Sequence, residues 1–251
     1  MTDLKALVNY LDAYLKISEI GDYPEAVNGL QVENSGSVTR LAVAVDACQA
    51  VIDRASDLGA DLLLVHHGLF WRGLEPLTGR HGRRIRKLVQ SDTALYSVHL
   101  PLDLHPDVGN NAVLARMLGL EGTEPFADTK GQAIGLSGRL SLSLHDFTAR
   151  VSSCLGVEPR VIAAGPDRVD RVGVVTGGGG GFIEQARDAG LDTYLTGEGA
   201  HHTYFDAEES GLNVIYAGHY ATETVGVKAL AEHIEERFGW PWDFIDHPTG
   251  M

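Results

Sequence analysis

Two adjacent histidines, His66 and His67, follow an apolar run in the segment DLLLVHHGLF, residues 61–70. The four apolar side chains at residues 62–65 do not alternate with polar ones, which predicts a strand covered on both faces, as in a parallel sheet. Ligands of open parallel sheets bind beyond the carboxyl ends of the strands. Imidazole nitrogens at such a position suit a divalent metal ion. For an isolated histidine pair, ordinary loop residues are the favoured interpretation, so the hypothesis depends on other segments.

Two further predicted strands also lead to residues of metal-ligand type. The strand at residues 93–100 is followed by Asp103. The strand at residues 212–217 is followed by His219 and Glu223, which are four positions apart. On a helix, that spacing places both side chains on one face. Taken alone, this second pair is better interpreted as an exposed pair near a helix start.

The combination of these strand ends predicts a metal site. The candidate ligands are His66, His67, Asp103, His219 and Glu223. Neutral imidazole and carboxylate suit zinc, iron or manganese. Five ligands are too many for one closed tetrahedral zinc, but they suit two ions with a bridging carboxylate and open positions, as in catalytic sites.

The chain also repeats a strand–helix–strand pattern. Residues 40–64 align without gaps with residues 171–195 at an offset of 131, and eight of the 25 positions are identical. Any two such units share glycines and apolar strands, but ungapped agreement favours a duplication. In this alignment the histidine pair falls opposite Gly197 and Glu198.

The repeat predicts an α/β fold with two similar lobes that each contain a βαβ unit. We expect the first lobe, which carries most of the metal ligands, at residues 1–125 plus 217–251, and the second at 126–216. The polar stretch at residues 121–130 is predicted to be an irregular linker. The five glycines at 177–181 are consistent with weak anion binding at a helix start or with a tight turn, and they lack the GK[ST] of a phosphate-binding loop.

Charge and cysteine usage exclude several classes of protein. The 251 residues carry a formal net charge of −14, which argues against nonspecific binding to nucleic acid or to an anionic membrane. The one basic cluster, at residues 80–87, is interpreted as a solvated helix face. Cys48 and Cys154 have no CxxC spacing and predict neither a thiolate zinc site nor a disulfide framework. We see no signal peptide or membrane-spanning run, so we expect a cytoplasmic protein.

Several short motifs then recur in one known combination. They are NGLQV at 28–32, VHHGLF at 65–70, HLPLDLH at 99–105, GNN at 109–111, TGEGAHH at 196–202 and AGHYATETVGVKAL at 217–230. This set resembles the Nif-three-like family of dinuclear-metal-centre proteins, whose members are often named GTP cyclohydrolase 1 type 2 homologues. The resemblance runs from the first predicted helix to the last.

The resemblance implies a toroidal homohexamer of two-lobed subunits, with two divalent ions in each subunit facing the interior. His67 and Asp103 would bind one ion, and His66 and His219 would bind the other. Glu223 would bridge the two ions.

The resemblance also implies the roles of residues around the ions. His99 would lie close to them as the catalytic residue that transfers protons. Glu198 and His202 would line the substrate pocket.

Our leading hypothesis is therefore a cytoplasmic two-metal hydrolase acting on a small, anionic or nucleotide-like substrate. GTP cyclohydrolase activity is attached to some members of the family. The alternative is a metal-binding hexameric ring without catalytic activity, which would act as a chaperone, scaffold or regulator.

Overall fold

The computed structural model describes residues 2–71 and 73–251. The chain divides into two compact units, one made of Met1–Val108 and Gly226–His247, the other of Gly109–Val225 and Pro248–Met251. The lobe bounds predicted from the sequence differ from these bounds and stay a prediction.

Strands and helices alternate along most of the chain. The strands are β1 (Thr2–Asp3), β2 (Gly29–Val32), β3 (Ser37–Val38), β4 (Leu41–Asp46), β5 (Leu62–His67), β6 (Ala94–Ser97), β7 (Glu121–Thr129), β8 (Gln132–Ser143), β9 (Arg160–Ile162), β10 (Arg168–Val175), β11 (Thr193–Thr196), β12 (Asn213–Tyr216) and β13 (Trp242–Phe244). The helices are α1 (Leu4–Tyr14), α2 (Gln49–Asp57), α3 (Gly79–Gln90), α4 (Leu100–Asp103), α5 (Asn110–Leu118), α6 (Leu144–Leu155), α7 (Ile183–Asp188), α8 (Thr203–Ser210) and α9 (His219–Phe238), with a 3₁₀ turn at Gly180–Phe182.

The first unit is built on a five-stranded sheet in the order β13-β4-β5-β6-β2, in which only β2 runs antiparallel to its neighbour. Its central strand β5 is buried on both faces. Leu62 and Leu64 pack into an apolar cluster with α1 and α9, whereas Leu63 and Val65 pack into a second cluster with α2. This double burial explains the unbroken apolar run and confirms the predicted α/β fold.

The second unit is built on a six-stranded mixed sheet in the order β7-β8-β10-β11-β12-β9. The prediction of an irregular stretch at 121–130 is wrong, because residues 121–129 form β7, an edge strand antiparallel to β8. The first five residues of β7 are exposed and only Phe126 and Ala127 are buried. A strand paired on one side and solvated on both faces carries polar residues, so its composition resembles that of a loop.

The two units contain the repeated strand–helix–strand element in the same register. In the first unit Leu41 pairs with Leu62, and in the second Val172 pairs with Thr193, which are the same positions at the offset of 131. The connecting helices are α2 and α7. The prediction of two similar βαβ-containing lobes is therefore confirmed.

Two aspartates of the repeat make the same contacts in each unit. The Asp61 carboxylate accepts hydrogen bonds from the backbone N–H groups of Thr39 at 2.7 Å and Arg40 at 3.0 Å. The Asp192 carboxylate accepts hydrogen bonds from the backbone N–H groups of Asp170 at 2.9 Å and Arg171 at 2.7 Å. Both residues come just before the part of β10 that pairs with β11. Each aspartate thus ties the start of one parallel strand to the start of its neighbour.

Two helices carry residues singled out in the sequence. α3 begins at Gly79 and contains the basic cluster, with Gly82 buried inside the helix despite the low helix propensity of glycine. α9 begins at His219, so the predicted His–Glu pair lies on its first turns.

The basic face of α3 agrees with the expectation from composition. Arg80, Arg83 and Arg86 are exposed on α3, as a solvated helix face requires. Cys48 and Cys154 are free thiols. In the described part of the chain, no helix combines the length and the apolar composition needed to cross a membrane.

We predict that Asp61→Ala and Asp192→Ala each lower the free energy of unfolding of their unit by about 1.5–3 kcal/mol, because each removes charge-assisted hydrogen bonds to backbone N–H groups. Urea denaturation followed by circular dichroism measures the change. Asp57→Ala is the matched control, since Asp57 is exposed and has no side-chain hydrogen bond among the described residues. Equal midpoints for all three variants would contradict the proposed role of these carboxylates.

Candidate metal centre

The carboxyl end of β5 fixes the orientation of two imidazole rings. His66 is fully buried, and its Nδ1 lies 2.9 Å from the Val98 carbonyl oxygen. His67 Nδ1 lies 2.9 Å from Oδ1 of Asp46, which is opposite His67 in the β4–β5 pairing. Carbonyl and carboxylate oxygens only accept hydrogen bonds, so Nδ1 donates in both rings. In the neutral form, each ring therefore carries its lone pair on Nε2, as a metal ligand must.

A third imidazole, His99, is held by a buried carboxylate. His99 Nδ1 donates to Asp22 Oδ1 at 2.9 Å. The same carboxylate accepts from Asn28 Nδ2 at 2.8 Å and from the Tyr23 N–H at 2.7 Å. Burial alone would raise the pKa of Asp22, but the hydrogen bond and charge of His99, with the Asn28 and Tyr23 bonds, outweigh it and leave the pKa below its usual value. Asp22 therefore stays ionised.

The three imidazoles of the first unit form one group. Their ring centroids are 4.7 Å apart for His66 and His67, 5.0 Å for His66 and His99, and 5.6 Å for His67 and His99. One donor atom from each ring lies within 4.8 Å of the other two, so the group could hold a metal ion.

A carboxylate of the same unit lies beside this group. Oδ2 of the buried Asp103, on α4, is 3.5 Å from His66 Nε2. Two donors on one tetrahedral zinc ion, each about 2.0–2.1 Å from it, are separated by about 3.3 Å. The observed separation therefore fits two ligands of one ion.

The second unit contains the other predicted pair. His219 Nε2 is 3.1 Å from Glu223 Oε1 across one turn of α9, and His219 Nδ1 is 2.9 Å from Glu198 Oε1. The hydrogen bond to Glu223 raises the pKa of His219 to about 9; burial opposes this shift, and the charge of Glu223 and the bond to Glu198 add to it. The imidazole is protonated below that pH, so an ion bound at Nε2 must displace a proton.

The five-glycine run lies against this pair. A Cβ on Gly177, whose φ is +68°, would be 2.1 Å from Glu223 Oε1. The N–H of Gly177 donates to Thr222 Oγ1 and that of Gly179 donates to Thr196 Oγ1, both at 3.0 Å. These amides are therefore occupied by the protein itself, which supports the tight-turn interpretation over anion binding.

A second close approach joins two of the sequence motifs in the first unit. A Cβ on Gly68 would lie 2.4 Å from Gln31 Nε2 and 2.6 Å from Ser97 Oγ. Gln31 Oε1 accepts the Leu69 N–H at 2.7 Å. The NGLQV segment thus fixes the loop that follows His67, which explains why its glutamine accompanies the histidine pair.

His105, the last residue of the HLPLDLH motif, has a different role. Its Nε2 lies 3.1 Å from the Tyr14 carbonyl oxygen, so Nε2 donates. Its Nδ1 accepts the N–H groups of Asp107 at 3.2 Å and Val108 at 3.3 Å. Both ring nitrogens are engaged, and burial lowers the pKa of His105. This neutral imidazole stabilises a turn.

The two residues predicted to line a substrate pocket differ in their surroundings. Glu198 contacts His219, as described above. His202 is exposed immediately before α8, and among the described residues its side chain forms no hydrogen bond or ion pair. The substrate-lining role of both residues stays a prediction.

Two carboxylates beside the histidine group, Asp46 and Asp22, were not predicted from the sequence. Asp46 ends β4 as His67 ends β5, so aligning the two predicted parallel strands could have placed it next to the histidine pair. Asp22 lies in a loop without a local pattern and is brought to His99 by Asn28, which bonds to both the carboxylate and the His99 N–H.

Comparison with known proteins identifies the family. The family model described as Duf34/NIF3 (NGG1p interacting factor 3) matches residues 2–249. The chain belongs to the Duf34/NIF3 family. This confirms the resemblance inferred from the motifs.

Relatives of the Duf34/NIF3 protein match it over nearly their full length. A protein of Deinococcus radiodurans named GTP cyclohydrolase 1 type 2 homolog is 47% identical over 248 residues, 98% of this chain and 93% of the relative. The crystal structure of TTHA1606 from Thermus thermophilus superposes with a TM-score of 0.91 at 44% identity and covers 100% of both chains. Reduced HcgD from Methanocaldococcus jannaschii gives 0.86 at 26% identity, with 98% of both chains covered.

We predict that Gly177→Ala lowers the melting temperature and the metal content of this Duf34/NIF3 protein, since the added Cβ needs space that the Glu223 carboxylate fills and Gly177 has a left-handed backbone. Calorimetry and elemental analysis measure the two effects. Gly181→Ala is the control within the same run, because a Cβ there meets no atom within 4 Å. If the two variants behave alike, the close packing does not position Glu223.

Proposed function

We propose that this Duf34/NIF3 protein binds two divalent metal ions per chain and is a metal-dependent hydrolase of a small nucleotide-like substrate. The observation that carries the proposal is a shared contact at Nδ1 of four imidazoles. His66, His67, His99 and His219 each place Nδ1 against a carbonyl or carboxylate oxygen. Metal-ligating histidines typically donate their second ring N–H in this way, which fixes the tautomer and raises the basicity of the ligand nitrogen.

The proposed ligands come from both units. His66, His67 and Asp103 belong to the first, and His219 and Glu223 to the second. Following the family resemblance, we assign all five to one dinuclear centre bridged by Glu223. The 3.5 Å between His66 Nε2 and Asp103 Oδ2 supports the binding of one ion by these two residues. This is an alternative to the pairing of His67 with Asp103 that the resemblance implies.

His99 is the proposed proton-transfer residue. Two bound metal ions supply activation of water and neutralisation of the charge that develops on the substrate. The ionised Asp22 keeps the His99 proton on Nδ1, so Nε2 can take a proton and then return it, as a positioned histidine–carboxylate pair does in other enzymes.

The substrate assignment rests on charge and on the relatives. A net charge of −14 disfavours polyanions and favours small substrates, whose charge a few groups can neutralise. Relatives at 38–47% identity carry the name GTP cyclohydrolase 1 type 2 homolog, so GTP is the first candidate substrate. The homohexamer and the cytoplasmic location implied by the resemblance belong to the same proposal.

We predict that purified protein contains about two transition-metal ions per chain, as a two-metal site requires, and that Glu223→Ala loses most of them because it removes the proposed bridge. Elemental analysis after gel filtration measures the stoichiometry. His145→Ala serves as the control, since the His145 side chain is 91% exposed. His67→Ala provides a second ligand variant in case Glu223→Ala fails to fold. A folded wild type without metal after reconstitution would rule out the proposal.

We predict that His99→Ala lowers kcat by about 10²–10⁴-fold, the contribution of a positioned acid–base group, and leaves most of the bound metal in place. Asp22→Asn should give a smaller loss and a shifted pH profile, because it weakens the hold on Nδ1. The assay uses GTP and a panel of phosphoesters and heterocycles after reconstitution with Mn, Fe or Zn. Bound, exchangeable metal without turnover of any compound would instead favour the non-catalytic ring.

A further inference from the structure

Two aromatic side chains of the first unit flank the imidazole of His99. The Trp71 ring lies 4.8 Å from the His99 ring, centroid to centroid, at an interplanar angle of 85°, and it also lies 5.8 Å from His67 at 63°. The Tyr23 ring lies 5.8 Å from His99 at 35°. Aromatic surface therefore borders the histidine group on the side of the proposed proton-transfer residue.

The Trp71 ring is held in place by its own loop. Trp71 Nε1 donates to the Gly68 carbonyl oxygen at 3.1 Å, and Gly68 packs closely against Gln31. The backbone N–H of Tyr23 donates to Asp22 Oδ1 at 2.7 Å, which fixes the main chain from which the Tyr23 ring projects. A ligand that stacks on Trp71 would lose little free energy in ordering that ring.

Tyr23 is exposed beside a buried carboxylate. The residue is 64% exposed, although the side chain of Asp22, the preceding residue, is buried. Burying an aromatic ring is favourable, and aromatic pairs add to the effect through stacked or edge-to-face contacts. A large apolar face left in solvent beside a polar, ionisable group has the features of a ligand platform, an apolar surface with a few convergent polar groups.

We propose that Trp71 and Tyr23 bind a planar heteroaromatic ring of the substrate and present it to the Nε2 side of His99. This assignment rests on the proposed function and adds to it the two side chains that recognise the heterocycle of the substrate. Stacking accepts any flat heterocycle, because every such ring offers a π-face. Substrates that consist only of a sugar or an aliphatic anion lack this contact and bind weakly.

The test is isothermal titration with guanosine, riboflavin and ribose 5-phosphate, each added to metal-free and metal-loaded protein. We expect guanosine or riboflavin to bind, and ribose 5-phosphate to bind at least tenfold more weakly to metal-free protein. Tyr23→Ala and Trp71→Ala should weaken binding of the heterocycle by about fivefold to 100-fold, the range for loss of one base–aromatic stack. Trp71→Phe should retain most of the affinity. Phe205→Ala, at a ring 49% exposed in the other unit, is the matched control.

The outcomes separate this inference from the proposed function. The aromatic platform is overturned if metal-loaded protein binds no heterocycle, or if wild type, Tyr23→Ala and Trp71→Ala bind it equally. Either result leaves the proposed metal site unaffected. Protein that takes up no metal overturns the proposed function, and the metal-free titrations then decide the platform. A single-stranded oligonucleotide that binds tighter than guanosine would overturn the assignment of a small-molecule substrate. Unchanged metal content in both aromatic variants excludes an indirect effect through the ligands.

Discussion

The hydrogen bond from His67 Nδ1 to Asp46 exists because β4 and β5 pair in parallel and place the two residues opposite each other. That pairing depends in turn on a central strand whose side chains are buried on both faces of the sheet. The same strand presents His66 to the carbonyl of Val98. The orientation of both candidate ligand nitrogens is therefore fixed by folding itself, and an ion that bound there would cost these two side chains little conformational entropy.

Close backbone packing completes the site in each unit. Gly68 allows Gln31 to hold the loop after the histidine pair, and Gly177 leaves room for the Glu223 carboxylate. A side chain beyond Cα would displace Gln31 from this loop at the first position and the candidate ligand Glu223 itself at the second. Glycine is needed at these positions because its missing Cβ leaves space for a neighbouring side chain. Backbone flexibility is not the reason.

The sequence was most informative where one physical requirement dominates. The apolar run of β5 predicted a strand buried on both faces. The spacing of His219 and Glu223 predicted that both side chains lie on one face of a helix. The repeat predicted a second βαβ element at residues 171–195 from the sequence alone. Residues 121–129 were misjudged, because a solvated edge strand and a loop share the same composition. Asp22 was missed because its approach to His99 depends on tertiary hydrogen bonds through Asn28, which leave no periodic trace in the chain.

The repeated strand–helix–strand element carries different polar residues at corresponding positions of the two units. At the offset of 131, Asp46 corresponds to Gly177 and His67 to Glu198. In the first copy the acid orients the histidine, whereas in the second the residue at the histidine position is itself the acid that orients His219. A side chain at position 177 would collide with Glu223, so an aspartate there could not orient a histidine as Asp46 does in the first unit. The same strand–helix–strand element thus supports two different ways of holding an imidazole, and the packing around Gly177 is incompatible with the first of them.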